Sequence, residues 1–185
     1  MKIIQNIRRK AGESFLIKSA TQVTRQKAMV NLKKATSVGI LFELENEQIY
    51  QTIHDFATKL QHNKIRVKVI GYTSQDHLMR QFLPVLSIDI IGKKDLNWYY
   101  RPITSNVGDF VMNRFDICIN LASPSNMPLK YIAAQSAARL KVGPYAEKDQ
   151  DIYDLMIHTE EVHDQGKFLD NVHEYLTILN PKEDA

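Results

Sequence analysis

VGILFELENEQIYQTIHDFATKLQHNKIRVKVIGY, residues 38–72, decides the fold. It opens on VGILFEL, a nearly continuous apolar run of the kind shown by a strand buried on both faces. Asn46 then stands where a helix needs a side-chain oxygen for its free N–H groups. Behind it Ile49, Ile53, Phe56 and Leu60 recur at helical spacing and make one apolar face. IRVKVIGY closes the stretch, rich in β-branched residues as a second strand. Two buried strands separated by an amphipathic helix form a βαβ unit, which implies parallel pairing.

The same rhythm continues downstream. QDHLMRQFL reads as a short helix ended by Pro84, and LSIDIIG as a third strand. KKDLNWYYRPIT, residues 93–104, breaks the alternation and reads as a loop; SNVGDFVMNR reads as a short helix. FDICINLA is another buried strand, followed by the loop SPSNMP and the helix PLKYIAAQSAARL, with Pro128 in its first turn. LKVGPY and DIYDLMIH are two further strands, and KFLDNVHEYLTIL is a closing helix. The expected fold is three-layer α/β and Rossmann-like, with a mainly parallel sheet of five or six strands over residues 35–180. Residues 1–34 lie outside the alternation and form a basic helical segment; residues 181–185 are a short tail. In the basic segment Ile4, Ile7, Ala11 and Phe15, then Leu16, Ala20 and Val23, recur at helical spacing, and Gly12 is expected to split it into two helical pieces.

The chain has 185 residues, 44% hydrophobic and 24% charged, which are ordinary globular values. A single cysteine excludes an internal disulfide and a Cys₄ zinc site. MKIIQNIRRK has no signal-peptide core, and the longest apolar runs fall far short of the roughly 20 residues that span a bilayer. A soluble cytoplasmic protein is the default expectation. The net charge of +3 is unevenly spread. Residues 1–34 hold nine basic side chains against the single acid Glu13, a charge of +8. Residues 147–185 hold eleven acids against three lysines, a charge of −8. Such separation points to an electrostatic role for at least one end.

Ligands of open parallel sheets sit beyond the C-terminal ends of the strands. The loop after the first strand, ELENEQ, has no glycine and three acids, so neither a dinucleotide fingerprint nor a phosphate loop is present, and no cofactor is expected. In GYTSQD, Thr73 and Ser74 can cap the next helix or line an anion site. SPSNMPLKY is the best small-molecule candidate: Ser123, Ser125 and Asn126 precede a helix start, and Lys130 in its first turn adds charge. Helix capping alone also accounts for these residues.

Trp98, Tyr99, Tyr100 and Arg101 can stack on a partner or cover the sheet edge. HTEEVHD clusters His158, Glu160, Glu161, His163 and Asp164, but the histidine spacing of five suits no helical metal face, and no metal is expected. The adjacent His54 and Asp55 are expected to point apart on their helix. Cys118, inside an apolar strand, is expected to be buried and inert. No catalytic set is recognisable.

The basic segment carries the strongest functional signal. Arg8, Arg9, Lys10, Arg25 and Lys27, with the WYYR residues, are the expected contact surface of a non-catalytic binding or scaffold protein. Its partner is a protein or a nucleic acid, whose phosphates such charges neutralise. Attachment to an anionic membrane is an alternative. A third is a small anionic-ligand binder using Ser123, Ser125, Asn126 and Lys130, with Thr73 or Ser74 opposite. The plainest reading packs the segment on its own domain.

KKATSVGILFE (33–43), KKDLNWYYRP (93–102) and FDICINLASPSNMPLKYIAAQSAARLKVGP (115–144) together resemble an uncharacterised domain-of-unknown-function family of Bacteroidota. The resemblance runs from about Lys33 to Asn180 and implies a small cytoplasmic α/β protein, with no activity attached. More weakly, FDICINL, LKVGP and the closing helix are similar in pattern to the N-terminal half of heptosyltransferase-like glycosyltransferases. Their sugar-nucleotide half has no counterpart here, which leaves a glycosyltransferase-like fragment as the implied form.

Overall fold

The computed structural model describes residues 2–82, 87–158 and 164–179. Six strands form one all-parallel sheet: β1 (Ser37–Glu43), β2 (Arg66–Tyr72), β3 (Ile88–Ile91), β4 (Ile117–Asn120), β5 (Leu140–Pro144) and β6 (Leu155–Ile157). Their spatial order is β3-β2-β1-β4-β5-β6. This is the doubly wound order, with its reversal between β1 and β4. Among the described residues six helices flank it: α1 (Lys2–Gln22), α2 (Glu47–His62), α3 (Asp76–Gln81), α4 (Ser105–Met112), α5 (Met127–Gln135) and α6 (Gln165–Ile178). Among the described residues no helix is long and apolar enough to cross a membrane.

The sheet is apolar on both faces because alternate residues of each strand enter different cores. Ile40, Phe42 and Val69 pack with α2, α3 and α6 on one side; Leu41, Ile70 and Cys118 pack with α4, α5 and Leu16 of α1 on the other. α2 forms as its sequence pattern dictates. Asn46 accepts from Ile49 N at 2.9 Å, and Ile49, Ile53, Ala57 and Leu60 are buried. Burial of Ile49, Ile53 and Leu60 stabilises by about 1.5–3 kcal/mol each.

Several expectations need correction. α1 runs unbroken through Gly12. The glycine is required by packing: a Cβ there would lie 2.8 Å from the Tyr99 carbonyl oxygen. The helical segment ends at Gln22, and residues 23–31 form an irregular strap rather than helix. α5 stops at Gln135 instead of reaching Leu140, because residues 136–139 must extend to place Leu140 beside Ile117 in the sheet. β6 is only Leu155–Ile157, since Ile152 and Tyr153 turn back into the core. On α2, His54 Nδ1 and Asp55 Oδ1 do meet, at 3.5 Å, on an exposed surface.

The strap ties the molecule together. Arg25 holds Asp154 with two contacts of 2.7 Å and also donates to the Ala138 and Arg139 carbonyls. Asn31 donates to the carbonyls of Thr177 and Leu179, satisfying the end of α6.

Beneath the strap lies Lys141, 2% exposed, donating to the Ala134 carbonyl at 2.9 Å. Burial, with Arg25 next, pulls its ammonium down to about 8. An unfolded chain keeps that proton to about pH 10.4. The native state therefore binds fewer protons between the two values, and stability rises with pH there. Lys141→Met is expected to be more stable than wild type at neutral pH, by on the order of 1–3 kcal/mol. The gap is expected to close between about pH 8 and 10.4, the window between the native and unfolded values of this ammonium. From about pH 8.5 upward, deprotonation of unfolded Cys118, whose buried thiol is pushed up to about 11, opposes that rise equally in both proteins and leaves the gap between them unchanged. Urea midpoints of both proteins across that window check this; parallel pH profiles would contradict it.

Candidate functional site

At the reversal point the strands part after Leu41 and Asn120, their last paired residues. Beyond this, Glu43 has no β4 partner for its backbone. Gln165 supplies one, accepting from Glu43 N and donating to Glu43 O, both at 2.7 Å. The β1–α2 link has no glycine, and Asn46 already occupies the Ile49 N–H. The route by which a pyrophosphate reaches a helix start in doubly wound folds is thus filled by side chains.

The open space lies on the α1–α5 side. A crevice of about 430 Å³ is lined by Glu43, Tyr72, Tyr100, Ser125 and Asn126, with Gln5, Asn6 and Arg9 of α1 forming one wall. Glu43 and Tyr72 end adjacent strands in direct register, so their side chains leave the same face. Burial, then the Glu43 carboxylate and then Tyr100, raise the Tyr72 phenol above its usual value. It therefore stays a proton donor beside a carboxylate acceptor. A larger depression of about 530 Å³ lies between the first turns of α2 and α6. Its cap residues Asn46 and Asp164 already serve the N–H groups of Ile49 and Lys167.

The wall formed by α1 is held by the WYYR loop. Asn97 builds the loop, its Oδ1 accepting from Tyr99 N and Arg101 N, with Leu96 and Pro102 bridged. Tyr100 takes a φ of 69°, a left-handed conformation uncommon for a bulky residue. That turn presents the Tyr100 ring to Arg8, whose guanidinium lies 4.3 Å from its centroid. Phe15 stacks on Tyr99 at 4.8 Å, and Arg8 Nε donates to the Trp98 carbonyl at 2.5 Å.

The sequence-derived candidates are thus distributed unevenly. Ser125 and Asn126 line the crevice; Ser123 supports Ser125 through a hydroxyl contact of 2.9 Å. Asn126 also caps α5 through Leu129 N at 3.2 Å. Lys130 lies elsewhere, 1% exposed, with its ammonium 2.6 Å from Asp149. Thr73 is buried and accepts from Gln75 N, while Ser74 is exposed; neither lines the crevice. Of the expected contact residues, Arg8, Tyr99 and Tyr100 join α1 to the loop, and Arg25 and Lys27 meet Asp154. Arg9 and Tyr100 line the crevice; Lys10, Trp98 and Arg101 are exposed.

Glu43 and Tyr72 were not foreseen, although both are the last residues of their strands. Among the described residues no three His, Cys, Asp or Glu side chains cluster to hold a metal. Residues 159–163 of the HTEEVHD segment lie outside the described residues.

A family model described as a family of unknown function (DUF6913) matches residues 8–179. No curated protein matches the chain.

Proposed function

The chain belongs to this family of unknown function, so no activity is inherited, and we propose from the geometry that it binds a small polar ligand in the α1-walled crevice. The carrying observation is convergence. Groups from β1, β2, the WYYR loop, α1 and the start of α5 meet around about 430 Å³, at the end of the sheet where doubly wound domains hold ligands. The ligand is polar and bifunctional, offering a donor to Glu43 and an acceptor to Tyr72 or Arg9. The reading is one of binding, with the Glu43 carboxylate as acceptor and the Tyr72 phenol and Arg9 guanidinium as donors. Strand order alone also fits the glycosyltransferase-like alternative, but architecture does not fix chemistry.

Thermal shift with a panel of amino acids, sugars, nucleosides and their phosphates tests this. A true ligand at a hundred times its Kd stabilises by about 2.7 kcal/mol. Glu43→Gln and Tyr72→Phe are each expected to weaken that ligand about 10- to 100-fold, as for a lost charge-assisted hydrogen bond. A stabilising compound indifferent to both substitutions would place binding elsewhere. A panel that shifts nothing would count against the crevice.

The macromolecular reading retains one support, the exposed side of α1, which is independent of the crevice.

A further inference from the structure

α1 has two apolar sides, and the fold covers one of them. Leu16 is 3% exposed within the α4–α5 core, and Gly12 sits against the Tyr99 carbonyl. On the opposite side Ile4, Ile7 and Ile17 are 60%, 53% and 52% exposed. At about 100° per residue, these three and the exposed Lys10 and Lys18 fall within an arc of roughly 140°. Trp98, 55% exposed, borders the helix because its carbonyl is held by Arg8. The acid of this helix, Glu13, lies off that arc, near Arg9 and Lys148 at 3.9 Å each.

The outward side of α1 is thus both apolar and cationic, with no acid on it. We infer that this side seats the protein on an anionic lipid surface. Charge complementarity selects the occupant. Nucleic-acid phosphates would meet the lysines but leave three isoleucines and a tryptophan in water. An anionic bilayer takes all of them: aliphatic side chains enter the headgroup–acyl boundary, lysine stems lie along it with their ammonium groups outward, and tryptophan favours the same interface. Because α1 is already folded and docked, binding requires no ordering of the segment. The inference does not depend on a crevice ligand.

Trp98 is the sole tryptophan, so its emission reports on this surface alone. The full chain is titrated with phosphatidylcholine vesicles, with and without phosphatidylserine, and cosedimentation is measured in parallel. With phosphatidylserine the expected result is a blue shift and pelleting that weaken as salt is raised. Lys10→Gln and Lys18→Gln are each expected to lower vesicle affinity about fivefold, as for one basic side chain near an anionic surface. Ile7→Glu with Ile17→Glu is expected to abolish binding while the melting temperature stays within a few degrees of wild type.

Equal binding to phosphatidylcholine alone, binding that survives the paired glutamates, or no pelleting at all would overturn the inference. Retention of duplex DNA with vesicles ignored would also overturn it and reassign the surface to nucleic acid. The lysine variants leave the apolar contacts intact, so the test stands even if the paired glutamates disturb the helix.

Discussion

Replacing Lys130 by methionine is expected to cost about 3–5 kcal/mol of stability, because it leaves the Asp149 carboxylate buried without its cation. The two side chains are 2% and 3% exposed and meet at 2.6 Å. Lys130 comes from the first turn of α5, and Asp149 from the short turn of helix at 147–149. Burial pulls the Lys130 ammonium below its ordinary value, against the hold of Asp149. The pair is therefore costly to form, and a lone member costs more. The double change Lys130→Met with Asp149→Leu is expected to recover most of the loss, since apolar replacements of buried pairs are often neutral or stabilising. Urea denaturation of the four proteins measures the coupling. Additive losses in the double variant would show that the two charges do not depend on each other.

Arg25→Met is expected to be the second most damaging change, at about 2–4 kcal/mol for a largely buried charge-assisted pair with two further carbonyl contacts. The Arg25 side chain is 6% exposed and that of Asp154 15%. Burial alone would raise the Asp154 carboxyl, but the Arg25 hydrogen bonds and the Lys141 N–H outweigh it and hold the carboxyl below its usual value. A lowered carboxyl contributes stability that is present above the unfolded value, near pH 3.9. That contribution disappears as pH falls through the lower native value. Wild type is thus expected to lose stability steeply below about pH 4, as Asp154 and the similarly lowered Asp116 protonate. Arg25→Met is expected to keep the Asp116 part of that slope and to lose most of the Asp154 part, the Lys141 N–H and Lys27 remaining as its weaker partners. Unfolding midpoints between about pH 2.5 and 6 decide it; identical acid slopes would show that Arg25 does not set the Asp154 proton affinity.

The two-sided sheet and α2 were legible because their signals are local. VGILFEL carries its own burial pattern, and Asn46 with Ile49, Ile53 and Leu60 carries a complete helix start and face. What remained hidden depends on pairs far apart in the chain. Lys130 resembles an anion ligand in any reading of the α5 start; only the return of the chain at Asp149 shows it to be neutralised. Gly12 reads as a helix break until the Tyr99 carbonyl is brought against it. The crevice is the extreme case, with residues from five segments, two of which, Glu43 and Tyr72, are marked only by ending their strands. The expected basic contact set also mixed two populations. Arg8 and Arg25 are internal fasteners, while Lys10 remains outward, and charge counting cannot separate them.

The strap also fixes an order of events during synthesis. Arg25 is made 129 residues before its partner Asp154, and Asn31 is made 146 and 148 residues before Thr177 and Leu179. At roughly 5–20 residues per second, the basic segment waits on the order of ten seconds before its anchors exist. Throughout that interval the Arg25 guanidinium lacks the carboxylate that the finished protein fastens to it, while Lys10 and Lys18 face outward in the finished fold as well.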